Sequence, residues 1–113
     1  MATYGSTALT ALGDPSRQAI VEHLAAGPLA VSDLAARLPI SRPAVSQHLK
    51  VLTEAGVVGH RAVGTRRLYH LDPEAIEAIR SYLEGFWSQA LHSFAALAED
   101  TAPAEPKSFL EER

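Results

Sequence analysis

Apolar positions along this chain change period twice. Leu9 and Leu12 suggest a short first helix ending at Gly13. Asp14-Pro15 then reads as a helix start, a carboxylate N-cap followed by proline where its missing N–H costs nothing. Ala19, Ile20, Leu24 and Ala25 recur at helical spacing until Gly27-Pro28 stops the run. Ser32 is expected to cap a third, short helix with inner face Leu34, Ala35 and Leu38, ended by Pro39. Ser41 opens a fourth helix, which runs to about Ala55 and is closed by Gly56. Two short helices joined by the tight turn Leu38-Pro39-Ile40 form a helix-turn-helix.

From Val57 the period shortens. Val57–Arg61 and Arg67–Leu71 are β-prone runs separated by Ala62–Arg66, whose Gly64 can take positive φ, and they predict a hairpin. Asp72-Pro73-Glu74 repeats the cap-plus-proline start, and a long helix follows to about Asp100. The order α-α-α-α-β-β-α, mainly α with a small β-hairpin, is that of a winged helix-turn-helix. Residues 1–100 are expected to form the domain and residues 101–113, with two prolines and mixed charge, a mobile C-terminal tail.

In the last helix Ile76, Ile79, Leu83, Phe86, Ala90, Leu91, Phe94, Leu97 and Ala98 keep spacings of three and four, with Tyr82 and Trp87 beside them. From Pro73 to Glu99 this stripe is roughly 40 Å long. A domain of 113 residues cannot cover it alone. Leu9, Leu12, Ile79, Leu83, Phe86, Trp87, Ala90, Leu91, Phe94 and Leu97 are therefore the expected homodimer interface. Tyr82, Phe86 and Trp87 could instead line a ligand pocket between subunits, although interface packing explains them as well.

Composition narrows the function. Apolar residues make up 47% and charged residues 20%, which is globular usage. There is no apolar run long enough for a membrane span and no signal-like N-terminus, so a cytoplasmic location is the default expectation. Cysteine is absent, which excludes disulfides, thiolate metal sites and cysteine nucleophiles. The net charge of −3 conceals an asymmetry. Arg37, Arg42, Lys50, Arg61, Arg66 and Arg67 face a single acid, Glu54, within residues 37–67, so that stretch is +5 and the remainder −8. Such segregation is the footprint of a polyanion-binding face.

A helical wheel places those cations. With Val45 as centre, Leu49 and Leu52 fall within about 40° of it and anchor the fourth helix to the core. Pro43, Gln47, Lys50 and Glu54 lie opposite, with Ser46 at the margin and Ser41 and Arg42 in the first turn. Gln can bond two edges of adenine, Arg and Lys can bond guanine or phosphate, and the helix N-terminus attracts phosphate. His48 lies toward the core edge, where packing with an incidental phosphate contact is expected rather than base reading. Arg61, Arg66 and Arg67 flank a tip with Gly64 and Thr65, the shape of a wing. Wing arginines reach phosphates or the minor groove; the blander alternative is a charged edge that prevents strand pairing, and one of the three could be occupied by a neighbouring carboxylate.

Leu12–Arg17, Ser41–Leu52 and Glu54–Val58 together resemble the ArsR/SmtB-type bacterial transcriptional repressors, over about Leu9 to Glu99. The resemblance implies a homodimer that binds double-stranded DNA at an inverted repeat and lets go when an effector arrives. Thiolate-sensing members start the third helix with Cys-Val-Cys, whereas this chain has Ala30-Val31-Ser32. Other members hold metal between the last helices, where this chain offers only His92, with Glu84 and Glu99 a full two turns away on either side. His23, His48, His60, His70 and His92 are scattered, and no metal or other cofactor is expected. Any effector is then expected to be a small organic molecule; the alternative is control by abundance alone. An enzyme is disfavoured because no nucleophile motif or phosphate loop accompanies the Ser, His and Asp residues. A winged helix used only for protein binding is the second rival, and it would not need cations concentrated on one helix and the wing.

Overall fold

In the computed structural model, which describes residues 2–101, the second to fifth helices each begin where a side chain supplies an oxygen for an N–H at the helix start. The order is α1 (Ala2–Ala11), α2 (Pro15–Leu24), α3 (Val31–Arg37), α4 (Arg42–Glu54), β1 (Val58–Val63), β2 (Arg66–Leu71) and α5 (Pro73–Thr101). Asp14 Oδ2 accepts from the N–H groups of Ser16 at 2.9 Å and Arg17 at 3.1 Å, with Pro15 first in the helix. Ser41 Oγ accepts from Ala44 N–H at 3.2 Å, and Asp72 Oδ1 from Glu74 N–H at 2.9 Å.

Three boundaries differ from expectation. The first helix starts at Ala2 and stops at Ala11; Leu12 and Gly13 continue it only as a tightened turn, donating to Leu9 and Thr10 carbonyls at 3.0 Å. Ser32 is not the cap of α3. Ala30 is, and the Asp33 carboxylate reaches back to its N–H at 3.0 Å. Alanine has no side-chain acceptor to return the favour, so only one arm of a capping box forms. The hairpin is tighter than a five-residue loop: Val63 pairs with Arg66, leaving Gly64-Thr65 as the turn. Gly64, at φ 66°, takes the first turn position, where positive φ lets a two-residue loop follow the strand twist.

The described residues fall into two compact units that divide after Tyr82. In the first, Ile20 and Leu24 of α2, Leu34 of α3, Val45, Leu49 and Leu52 of α4, and Val57 and Val58 form the core with Ala8 and Ala11 of α1. α1 lies close against the start of α5. A Cβ on Gly5 would stand 2.5 Å from the carbonyl oxygen of Ala78 and 2.8 Å from Tyr82 Cβ, so only glycine permits that approach. β1 and β2 form an antiparallel pair, and Leu29 adds a single bridge to Tyr69 outside it.

The second unit, as far as it is described, is the continuation of α5. Its large apolar side chains Leu83, Phe86, Trp87, Leu91, Phe94 and Leu97 are between 43% and 62% exposed in the single chain. The tail expected at 101–113 lies outside the described residues except for Thr101, which ends α5. Among the described residues no helix is long and apolar enough to cross a membrane.

Candidate nucleic-acid interface

Helix α4 is held by one face and offers the other. Val45, Leu49 and Leu52 are at most 1% exposed, which anchors the helix and fixes its rotation. Ser41, Arg42, Pro43, Ser46, Gln47 and Lys50 are all exposed as a consequence. The cap oxygen of Ser41 takes the Ala44 N–H, and Pro43 has none to offer. The face that remains is short, polar and cationic, built for hydrogen bonds rather than for packing. Glu54, its one acid, sits at the far end of α4. There it lines an open groove of about 420 Å³ with Ser6, Thr10 and Ala11 of α1.

His48 belongs to the frame as well as to the helix. Its side chain is 22% exposed, and Nδ1 lies 3.4 Å from Arg17 Nη1 and 3.9 Å from Asp14 Oδ2. Arg17 in turn donates from Nε to the Ala11 carbonyl at 2.6 Å. The Asp14 carboxyl is held below its usual range, chiefly by the Arg17 N–H. The Ser16 N–H and the charges of His48 and Arg17 assist, against partial desolvation. The capping carboxylate of α2 thus lies against one side of α4. Sequence spacing alone did not show that link.

The hairpin sorts its arginines by strand alternation. Arg61 pairs with Leu68, Ala62 with Arg67 and Val63 with Arg66. Side chains alternate between faces along a strand, so Arg61 and Arg66 share one face and Arg67 takes the other. All three, with Thr65 between the strands, are exposed. Arg66 has a protein partner: its Nη2 lies 2.5 Å from Asp33 Oδ2 at the start of α3. The Asp33 carboxyl is lowered first by the Ala30 N–H and then by Arg66, with Arg37 contributing.

The residues expected to pair two chains divide by burial. Leu12 and Ile79 are half-buried against the core, and Leu9 is half-buried. Leu83, Phe86, Trp87, Ala90, Leu91, Phe94 and Leu97 are exposed, and Tyr82 is half-buried. Among the described residues no three His, Asp or Glu side chains converge as metal ligands do.

A family model described as a helix-turn-helix domain matches residues 12–61, from the end of α1 into β1. The chain is 55% identical over 101 residues to the HTH-type transcriptional regulator Rv2034 of Mycobacterium tuberculosis, covering 88% of this chain and 94% of that one. Among solved structures, an ArsR-like transcriptional regulator from Rhodococcus sp. RHA1 superimposes with a TM-score of 0.79 at 26% identity, over 90% of this chain and 96% of the other.

The chain belongs to the ArsR/SmtB family of winged helix-turn-helix regulators. A second family structure is the homodimeric winged helix-turn-helix DNA-binding domain Mb0332 of Mycobacterium bovis. It matches with a TM-score of 0.61 at 26% identity, over 80% of this chain and 82% of that one. Membership makes the chain a DNA-binding transcriptional regulator by family, and the matched residues include both α3 and α4. Where thiolate-sensing ArsR/SmtB proteins place two cysteines, this member has Ala30, a buried cap residue, and Ser32, exposed in the first turn of α3.

Proposed function

We propose that this protein is a homodimeric, sequence-specific repressor that binds an inverted-repeat operator. In this reading Gln47, Ser46 and Arg42 read bases in the major groove. Lys50, Ser41, Arg61 and Arg67 meet phosphates, with Pro43, His48 and Thr65 at the margin. One observation carries it. The only strongly cationic stretch of an otherwise acidic chain folds onto the exposed face of α4 and the wing, while the apolar face of α4 fixes the helix. A two-fold pairing through α5 would set two α4 helices about one DNA turn apart, ~34 Å. The apolar stripe of α5 and the homodimeric state of the Mycobacterium bovis relative support that pairing. Repression then needs nothing beyond occupancy of a promoter. Any release signal is, in this reading, a small organic effector, the alternative being control by the protein's abundance alone.

The test is selection of binding sites from random duplexes by the purified, metal-free protein. Enrichment of an inverted repeat with half-sites about one turn apart is expected. With six to ten phosphate contacts per dimer, affinity should fall roughly 10³–10⁵-fold between 50 and 200 mM salt. No enrichment at moderate salt overturns the reading and favours a winged helix that binds protein. Reversing the charges of Arg61 and Arg67 separates the two, because it abolishes binding to DNA and need not disturb a protein partner.

A further inference from the structure

The wing is fastened to the start of α3 at two points. Leu29 and Tyr69 exchange backbone hydrogen bonds, Leu29 N–H to Tyr69 C=O at 3.1 Å and Tyr69 N–H to Leu29 C=O at 2.8 Å. Three residues nearer the wing tip, Arg66 reaches Asp33. A single carboxylate oxygen, Asp33 Oδ2, takes both the Arg66 guanidinium and the Ala30 N–H that opens α3. The backbone bridge fixes where β2 meets this segment, and the Asp33–Arg66 pair adds a second attachment nearer the wing tip. Arg66 shares its strand face with Arg61 and lies opposite Arg67, and of the three it is the one whose guanidinium is held by a carboxylate.

We infer that Arg66 is a positioning residue, tethered by Asp33 so that the wing presents Arg61 and Arg67 at a set distance from α4, and is not itself a phosphate contact. The inference rests on the DNA-binding reading above, and it removes Arg66 from the group of wing arginines that the sequence alone places on DNA. The two roles make opposite demands on Asp33. If Arg66 contacted phosphate, Asp33 would compete with DNA for it, and neutralising Asp33 would tighten binding. If Arg66 positions the wing, neutralising Asp33 loosens it.

The experiment measures affinity for a selected operator duplex by fluorescence anisotropy between 50 and 200 mM salt. It uses the full chain and the variants Asp33→Asn, Arg66→Gln, the double variant and Arg67→Ala. Asparagine keeps an oxygen for the Ala30 N–H, so α3 stays capped, and thermal melting of each variant confirms the fold. The expected result is that Asp33→Asn and Arg66→Gln weaken binding equally, by roughly two- to five-fold per protomer, the effect of a half-exposed ion pair. The double variant should be no weaker than either. Arg66→Gln should leave the salt dependence unchanged, while Arg67→Ala makes it shallower by about two, at ~0.9 per phosphate in each of two protomers. Tighter binding by Asp33→Asn, or an Arg66→Gln salt dependence as shallow as that of Arg67→Ala, overturns the inference while the DNA-binding reading stands. If the unaltered protein binds no duplex at all, that reading fails and the inference falls with it.

Discussion

The Tyr4 hydroxyl donates to the carbonyl oxygen of Gly56 at 3.1 Å, joining the first helix to the turn that closes α4. Gly56 holds φ at 80°, and a Cβ there would lie 2.9 Å from the Tyr4 ring. Burial, and after it the charges of Asp72 and Glu74, raise the Tyr4 pKa, so the phenol stays protonated and donating at any ordinary pH. Tyr4→Phe should cost about 0.5–1.5 kcal/mol, one partly buried hydrogen bond. Gly56→Ala should cost about 1–2 kcal/mol from left-handed strain alone, plus the clash with the ring. In a Tyr4→Ala background only the strain remains. Urea unfolding of the five chains, the unaltered protein included, measures this; an alanine penalty unchanged by removing the ring means the contact is not made in solution.

Much of this frame was legible beforehand, and the reasons are local. Asp14-Pro15, Ser41 and Asp72-Pro73 each place an acceptor oxygen just ahead of a helical run, and each acts as that chemistry requires. Val45, Leu49 and Leu52 share one face by spacing and are buried together. The contacts that spacing could not show are between elements. Tyr4 and Gly56 are 52 positions apart, and Asp33 and Arg66 are 33 apart. An acid three residues after a small residue was a usable signal for Asp33 as the helix-opening carboxylate, masked by the better-known capping preference of Ser32. The start of α1 is not legible in the sequence because Ala2–Ser6 has no apolar periodicity; Gly5 permits the close approach of α5.

Gln47 and Arg67 should fail differently. Gln47 is exposed on the helix face that would enter the groove, so Gln47→Ala should change preference at particular base pairs by ~1–3 kcal/mol each. Arg67→Ala should weaken every duplex alike and reduce the salt dependence. Competition titrations with operator variants resolve the two patterns. A uniform loss from Gln47→Ala on all sequences contradicts its assignment to base reading.

Acid should loosen the first unit through its caps. Asp14 is held below the ordinary carboxylate range by the Arg17 N–H first, and Asp33 by the Ala30 N–H first. A depressed folded-state pKa means that stability is present above the unfolded value, about 3.9, and is lost as pH falls through the folded one. Asp14→Asn and Asp33→Asn keep a capping oxygen but cannot titrate. Their melting temperatures should therefore fall less steeply than that of the unaltered protein below about pH 4. Parallel melting curves against pH for all three chains would show that neither carboxyl is perturbed.

The α5 stripe makes the sharpest prediction about assembly. Taking Phe94 as centre, Leu83, Trp87, Ala90, Leu91 and Leu97 fall within about 60° of it, and Gln89 lies roughly 140° away. Phe94 is 56% exposed in the single chain, and Trp87 62%. If this face is the two-fold interface, each large side chain it buries contributes roughly 1.5–3 kcal/mol. A carboxylate placed in its middle faces its own copy across the axis, unpaired in an apolar setting. Phe94→Glu should therefore sediment as a monomer of about 12 kDa, half the dimer mass. The core residues before Tyr82 should melt as before, because Phe94 belongs to the second unit. Operator affinity should collapse, since a lone recognition helix makes half the contacts and loses the advantage of a linked second site. Gln89→Glu adds the same charge to the opposite face and should change neither mass nor binding. A Phe94→Glu chain that remains dimeric places the two-fold axis elsewhere, and the spacing of the selected half-sites would then have to be explained by another pair of surfaces.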